Sequence, residues 1–144
     1  MFEVNVEDCL KEGLLDKAAP DAGKAKSSLE MAKHKLGLAE EELRHKLFES
    51  AVISAYSSMF HSARSLLFRD GFKERSHYAV YVYVSEKYSD KIERKYVNEL
   101  NSLRLARHGL MYGLETGAGP SEFEARDATA MARGFLEAVK KLVP

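Results

Sequence analysis

The sequence predicts an all-α protein, an up-and-down bundle of four to six helices. Two observations carry that expectation. Glycine and proline are sparse, nine and three in 144 residues, and the segments between them repeat apolar residues at three- and four-residue spacing. The composition, 45% hydrophobic and 31% charged, suits one globular domain with a single core. Residues 1–144 are therefore read as one helical domain, with residues 1–19 a short N-terminal helical extension.

Each element has a local reason. Asn5 can cap a first helix whose opening turn holds Glu7 and Asp8, anions favoured by the helix dipole; this helix should end near Ala18. Pro20 suits the first turn of a second helix, rich in Ala, Leu, Lys and Glu, running to about Leu43 before a break around residues 44–47. A third helix is expected from Phe48 to Asp70, closed by Gly71 in the left-handed conformation. After the loop "GFKERS", Ser76 can cap a shorter helix to about Tyr88. Its core, "YAVYVYVSEKY", has the β-branched and aromatic content of a strand. With no plausible pairing strand elsewhere, an isolated strand would leave its backbone unpaired, so a helix is expected there. "SDKIE" should start the fifth helix, Asp90 and Glu93 standing at capping-box spacing, and Ser121 with Glu124 form a second such box before a last helix over about 122–142.

Charge narrows the function classes. Twenty-two basic residues balance twenty-two acidic ones, so no global field draws the chain to nucleic acid or an anionic membrane; any such contact must be local. No uncharged apolar run approaches the ~18 residues of a membrane span. A single cysteine, Cys9, and an N-terminus without signal-peptide character point to a cytoplasmic setting. No metal-ligand spacing is present, and no cofactor is expected.

Two segments stand out. "SAVISAYSSMFHSA", residues 50–63, contains no Asp, Glu, Lys or Arg. At 100° per residue Val52, Ala55, Tyr56, Met59, Ala63 and Leu66 share an apolar face, and Ser54, Ser57, Ser58, His61 and Ser65 line the other. Such a helix is either the centre of one bundle or packs against a second subunit as well. In "RLARHGLMYG", residues 104–113, the buried face defined by Ile92, Tyr96, Leu100, Leu103, Leu110 and Leu114 includes Arg107. An arginine among leucines needs a carboxylate, most plausibly near Glu124 or Asp127, a subunit boundary, or a cleft that admits phosphate. Arg104, His108 and Tyr112 follow one another at four-residue steps along the flank of that face.

These two segments carry a resemblance. "AYSSMFHSARSLLFRDGF" and "LRLARHGLMYG" are similar, in order and separation, to the paired motifs of HEPN domain proteins of bacteria and archaea, and the likeness runs from about Lys24 to Leu142. The resemblance implies a helical bundle, a homodimer with its polar motif near the subunit cleft, and an RNA or nucleotide ligand. Many members are metal-independent ribonucleases or toxins partnered by a small nucleotidyltransferase antitoxin; others bind nucleotides or lack catalysis. Ribonuclease members carry four to six residues between arginine and histidine. Arg104 and His108 have three, and one residue turns a side chain by about 100°.

Metal-free RNA cleavage needs a base, an acid and cations for the phosphorane charge. In that chemistry His108 would move the proton, Arg104 and Arg107 would hold phosphate, and Tyr112 would donate a hydrogen bond or stack on a base. The competing expectation is a non-catalytic module that docks a nucleotidyltransferase and whose arginines are structural.

Overall fold

The computed structural model describes residues 4–113 and 119–143. Among the described residues six helices run in the order α1 (Val6–Lys11), α2 (Ala22–Arg44), α3 (Phe48–Asp70), α4 (His77–Lys87), α5 (Arg94–Met111) and α6 (Glu122–Leu142). The long helices α2, α3, α5 and α6 alternate in direction. Ser54 and Ser58 of α3 reach back to Glu42 and the Ala32 carbonyl of α2. Tyr96 of α5 meets Phe135 of α6, while Arg69 near the end of α3 donates to the Leu142 carbonyl at the end of α6. The protein is an all-α bundle of the up-and-down kind. Among the described residues no helix is long and apolar enough to cross a membrane.

The core is built on α3. Val52, Ala55, Tyr56, Met59, Ala63 and Leu66 are all buried, as the charge-free pattern predicts. Its small polar side divides: Ser58 and Ser65 are fully buried, Ser58 Oγ donating to the Ala32 carbonyl at 2.8 Å and Ser65 Oγ to the Ser62 carbonyl at 2.6 Å, while Ser54, Ser57 and His61 stay half-buried. Small side chains there let α2 approach closely.

Gly71 ends α3 at φ 91°, and a Cβ there would lie 2.8 Å from the Ala18 carbonyl oxygen, so both conformation and space require glycine. The "RDGF" segment is tied down on all sides. The buried rings of Tyr83 and Tyr88 bring their hydroxyls to donate to Asp70 Oδ2 at 2.8 and 2.6 Å. Arg69 in turn donates to Asp70 at 3.3 Å and to the Tyr88 hydroxyl at 2.6 Å. Burial first, and then the Asp70 carboxylate, push both tyrosines well above their ordinary pKa.

Three expectations need correction. The first helix ends at Lys11, not near Ala18; Gly13 at φ 73° turns the chain into a strand, β1 (Leu15–Lys17), paired antiparallel with β2 (Phe72–Glu74), which lies inside the expected loop "GFKERS". Three-residue strands are too short to show a period, and this ribbon forms because Gly71 delivers Phe72 beside Lys17. The strand-like α4 is nevertheless a helix, capped by Ser76. Asp90 and Glu93 form no capping box: Tyr88, held by Asp70, offers its carbonyl to the amides of Lys91 and Ile92, and α5 begins only at Arg94 with no side-chain cap. Pro20 precedes the cap residue Asp21 rather than lying in the first turn of α2. Of the face expected on the fifth helix, Ile92 just before α5 and Leu100 and Leu103 on it are buried, Tyr96 and Leu110 partly so, and Val97 joins them; Leu114 lies outside the described residues.

Candidate functional site

The C-terminal half of α5 turns its two arginines and its histidine different ways. Arg107 precedes His108 by one residue, and that step of 100° separates their surroundings. Arg107 is half-buried, its guanidinium carbon 5.8 Å from the centre of the Tyr56 ring of α3. Arg104 is half-buried as well and held from two sides. Nε and Nη2 both donate to Asn101 Oδ1, at 3.1 and 2.9 Å, and the guanidinium lies 5.2 Å over the Tyr78 ring of α4. His108 and Tyr112 are exposed and pack on each other, ring centres 4.8 Å apart, with Tyr112 67% exposed. The row Arg104, His108, Tyr112 thus runs from the helix interface out into solvent.

Arg107 faces a groove of about 360 Å³ lined by Lys35 from α2, Ser57, Tyr56 and His61 from α3, His77 from α4, and Met111 from α5. No carboxylate is among its described lining residues. Among the described residues no ion pair joins Arg107 to Glu124 or Asp127, the acidic partners that a structural role would use, and Asp127 hydrogen-bonds Glu99 instead. A guanidinium exposed to a carboxylate-free concavity is an anion-binding arrangement.

His77 is the residue that the sequence reading passed over. It is the first residue of α4, directly after the capping Ser76, whose Oγ accepts the amides of Tyr78 and Ala79. The imidazole stacks on Phe60 with ring centres 4.1 Å apart and planes 15° from parallel, and its Nδ1 is 2.8 Å from the Tyr56 hydroxyl. A histidine one place inside a capped helix start was the available signal, because the N-terminal end of a helix favours anions. His61, from the small polar face of α3, makes an edge contact with Phe60 at 5.5 Å and lines the groove.

The electrostatics follow from four cations around two imidazoles. Burial lowers the His77 pKa, and Arg107, Arg104 and Arg64 lower it further. Burial, Arg64, Lys35 and His77 push His61 down to about 4. Both rings are therefore neutral near pH 7. Tyr56 is pushed up to about 12 by burial, against the pull of Arg107 and Arg104. Arg64 is engaged elsewhere: its Nε stands 2.6 Å from Glu74 Oε1 of β2, and its guanidinium covers the Phe68 ring at 4.9 Å. An anion entering the groove would relieve the repulsion that keeps His77 and His61 unprotonated.

Comparison with known proteins agrees with this architecture. A protein of Methanocaldococcus jannaschii named "Putative toxin MJ0605" is similar to this chain, 28% identical over 118 residues that cover 78% of the chain and 84% of the relative. A sequence profile of the HEPN domain matches residues 25–142, a span that takes in α3, the groove and both arginines of α5 and leaves out only α1, β1 and the start of α2. The chain belongs to the HEPN domain family.

Proposed function

We propose that this HEPN domain protein binds a phosphate-bearing ligand, RNA or a nucleotide, in the groove between α3, α4 and α5. The observation that carries the reading is Arg107 lining a concavity that it shares with Lys35, His61, His77, Tyr56 and two serines, beside the apolar Ile53, Phe60 and Met111 and without a carboxylate among the described lining residues. Arg107 holds the phosphate, Arg104 guides it from the Tyr78 side, and His108 with Tyr112 forms the outer edge where a base stacks. With no net charge on the chain, affinity comes from this local cluster and falls steeply with salt. The half-buried Ser54, Ser57 and His61 lie beside the groove, and a second copy related by a twofold axis would close over them. The similar protein of Methanocaldococcus jannaschii bears the name "Putative toxin MJ0605", and we assign this chain as the toxin-like half of a two-component system.

A second reading has its own observation. Leu105, Met111 and Tyr112 are 57%, 52% and 67% exposed on α5, an apolar edge that would dock a partner such as a small nucleotidyltransferase, leaving the domain non-catalytic.

One variant separates the readings. Arg107→Ala removes charge-assisted bonds worth about 1.5–3 kcal/mol, roughly ten- to a hundredfold in Kd for a labelled single-stranded RNA or a nucleotide. Its melting temperature should move by less than about 2 °C, since no buried carboxylate is stranded. Intact ligand binding with a large loss of stability would assign Arg107 to the scaffold.

A further inference from the structure

The four tyrosines of "YAVYVYVSEKY" take two different places in the fold. Tyr83 and Tyr88 are buried and donate to Asp70. Tyr78 and Tyr81 are half-buried, three residues apart on one face of α4, with ring centres 6.1 Å apart and planes 41° from parallel. Ser85 continues that face one turn further on. Together with Glu86 and Arg94 they line a concavity of about 520 Å³ between α4 and the start of α5.

Arginines stand at both ends of this face. The Arg104 guanidinium lies 5.2 Å over the Tyr78 ring, and Arg94 Nη1 donates to Ser85 Oγ at 2.7 Å. The two helices run antiparallel here, and ten residues separate the arginines by about 15 Å along α5. Glu86, the carboxylate among the described lining residues, is already engaged: Oε1 accepts the Val6 amide at 3.1 Å, and Oε2 is 3.3 Å from Lys87 Nζ. Arg104 belongs to both concavities. Its charge bears on His77 and Tyr56, which line the Arg107 groove, while its guanidinium covers Tyr78, which lines the other. His77 and Tyr78 are neighbours in the chain and open one onto each, so the two concavities meet at the start of α4.

Aromatic rings set between guanidinium groups suit a strand of unpaired bases, because each ring offers a π-face that any base can use and each guanidinium can take a phosphate. We propose that the Tyr78–Tyr81 face of α4, from Arg104 to Arg94, is a binding track for single-stranded RNA continuous with the Arg107 groove, so that the ligand is an oligonucleotide rather than a mononucleotide. The inference rests on the phosphate-binding reading above and adds the class and length of the ligand. Tyr78 and Tyr81 each stack a base, Arg104 takes the phosphate that passes from the groove to the track, and Arg94 takes one at its far end. Stacking tolerates every base, so the track adds affinity with little sequence preference.

The test titrates the full chain calorimetrically with adenosine 5′-monophosphate, with a 5′-phosphorylated tetraadenylate that is 2′-O-methylated throughout, and with an abasic strand of the same length and charge. The tetramer should bind at least about tenfold more tightly than the mononucleotide, and the abasic strand should lose most of that gain. Tyr81→Ala should weaken tetramer binding about tenfold, and Tyr81→Phe, which keeps the ring, should retain it. Arg94→Gln should weaken it about threefold and flatten its salt dependence. Each variant should bind the mononucleotide within about twofold of wild type, which also shows that it folds. Should Tyr81→Ala not fold, Arg94→Gln decides: unchanged tetramer affinity and salt dependence overturn the proposal. A tetramer no tighter than the mononucleotide, an abasic strand as tight as the tetramer, or variant losses equal for both nucleotides also overturn it, and leave the Arg107 reading standing. Failure of both nucleotides to bind, or binding untouched by Arg107→Ala, removes that reading and the track with it.

Discussion

At the scale of single residues, the groove histidines tie stability to pH. His61, at about 4 in the fold, and His77, also lowered, lie below the ordinary histidine value of 6.5. Between those values the unfolded chain binds more protons than the folded one, so their contribution to stability is complete above about pH 6.5 and is lost as pH falls toward 4. Urea unfolding of wild type and His61→Gln should show the variant less sensitive to acid across that window; equal slopes would remove His61 as a source. Two glycines give a sharper contrast. A Cβ on Gly37 meets nothing within 4 Å, and Gly37→Ala should stabilise α2 by about 0.5–1 kcal/mol through helix propensity. A Cβ on Gly134 would lie 2.6 and 2.7 Å from Tyr96 ring carbons, so Gly134→Ala should destabilise by about 1–3 kcal/mol. Thermal melts of the two variants should move in opposite directions. In the sequence both are merely glycines inside helical patterns, since what separates them is a tyrosine on another helix.

At the scale of elements, the legible features were those whose cause is local. The charge-free run of α3, its left-handed Gly71, the Ser76 cap and the Ser121–Glu124 capping box all appear where the pattern puts them. The strand-like composition of α4 yields to the cap and to packing on both sides. The misses share a different cause. The β1–β2 ribbon joins residues 55 to 59 positions apart in the chain, and the late start of α5 follows from Tyr88 being held by Asp70; neither is written in any one segment. The Asp70 cluster is the joint among α3, α4 and α6, because it accepts from Tyr83, Tyr88 and Arg69, and Arg69 continues to the Leu142 carbonyl. Asp70→Ala would leave buried hydroxyls unsatisfied and should cost about 2–3 kcal/mol, visible as a lower urea midpoint.

At the scale of the whole molecule, the site is assembled from helices far apart in sequence, which is why it was only half legible. Arg104 and Arg107 stand out in one helix because charge interrupts an apolar face. His77 and Tyr56 do not, since their proximity to Arg107 exists only once α4 crosses α3 and α5. Assembly beyond one chain follows from the same geometry: the half-buried Ser54, Ser57 and His61 face should lie at a twofold interface. Sedimentation at micromolar concentration should give a dimer, and a monomer would leave that face to solvent.

The central claim is that phosphate enters the Arg107 groove beside His61 and His77. The most direct measurement is NMR titration of the five histidines through pH, with and without a 5′-phosphorylated RNA oligomer. Without ligand, His61 should titrate near 4 and His77 below 6.5. With ligand bound, both midpoints should rise, as the anion offsets the cations around them. Saturating the protein with RNA while His61 and His77 titrate unchanged would contradict the account and move the ligand off this groove.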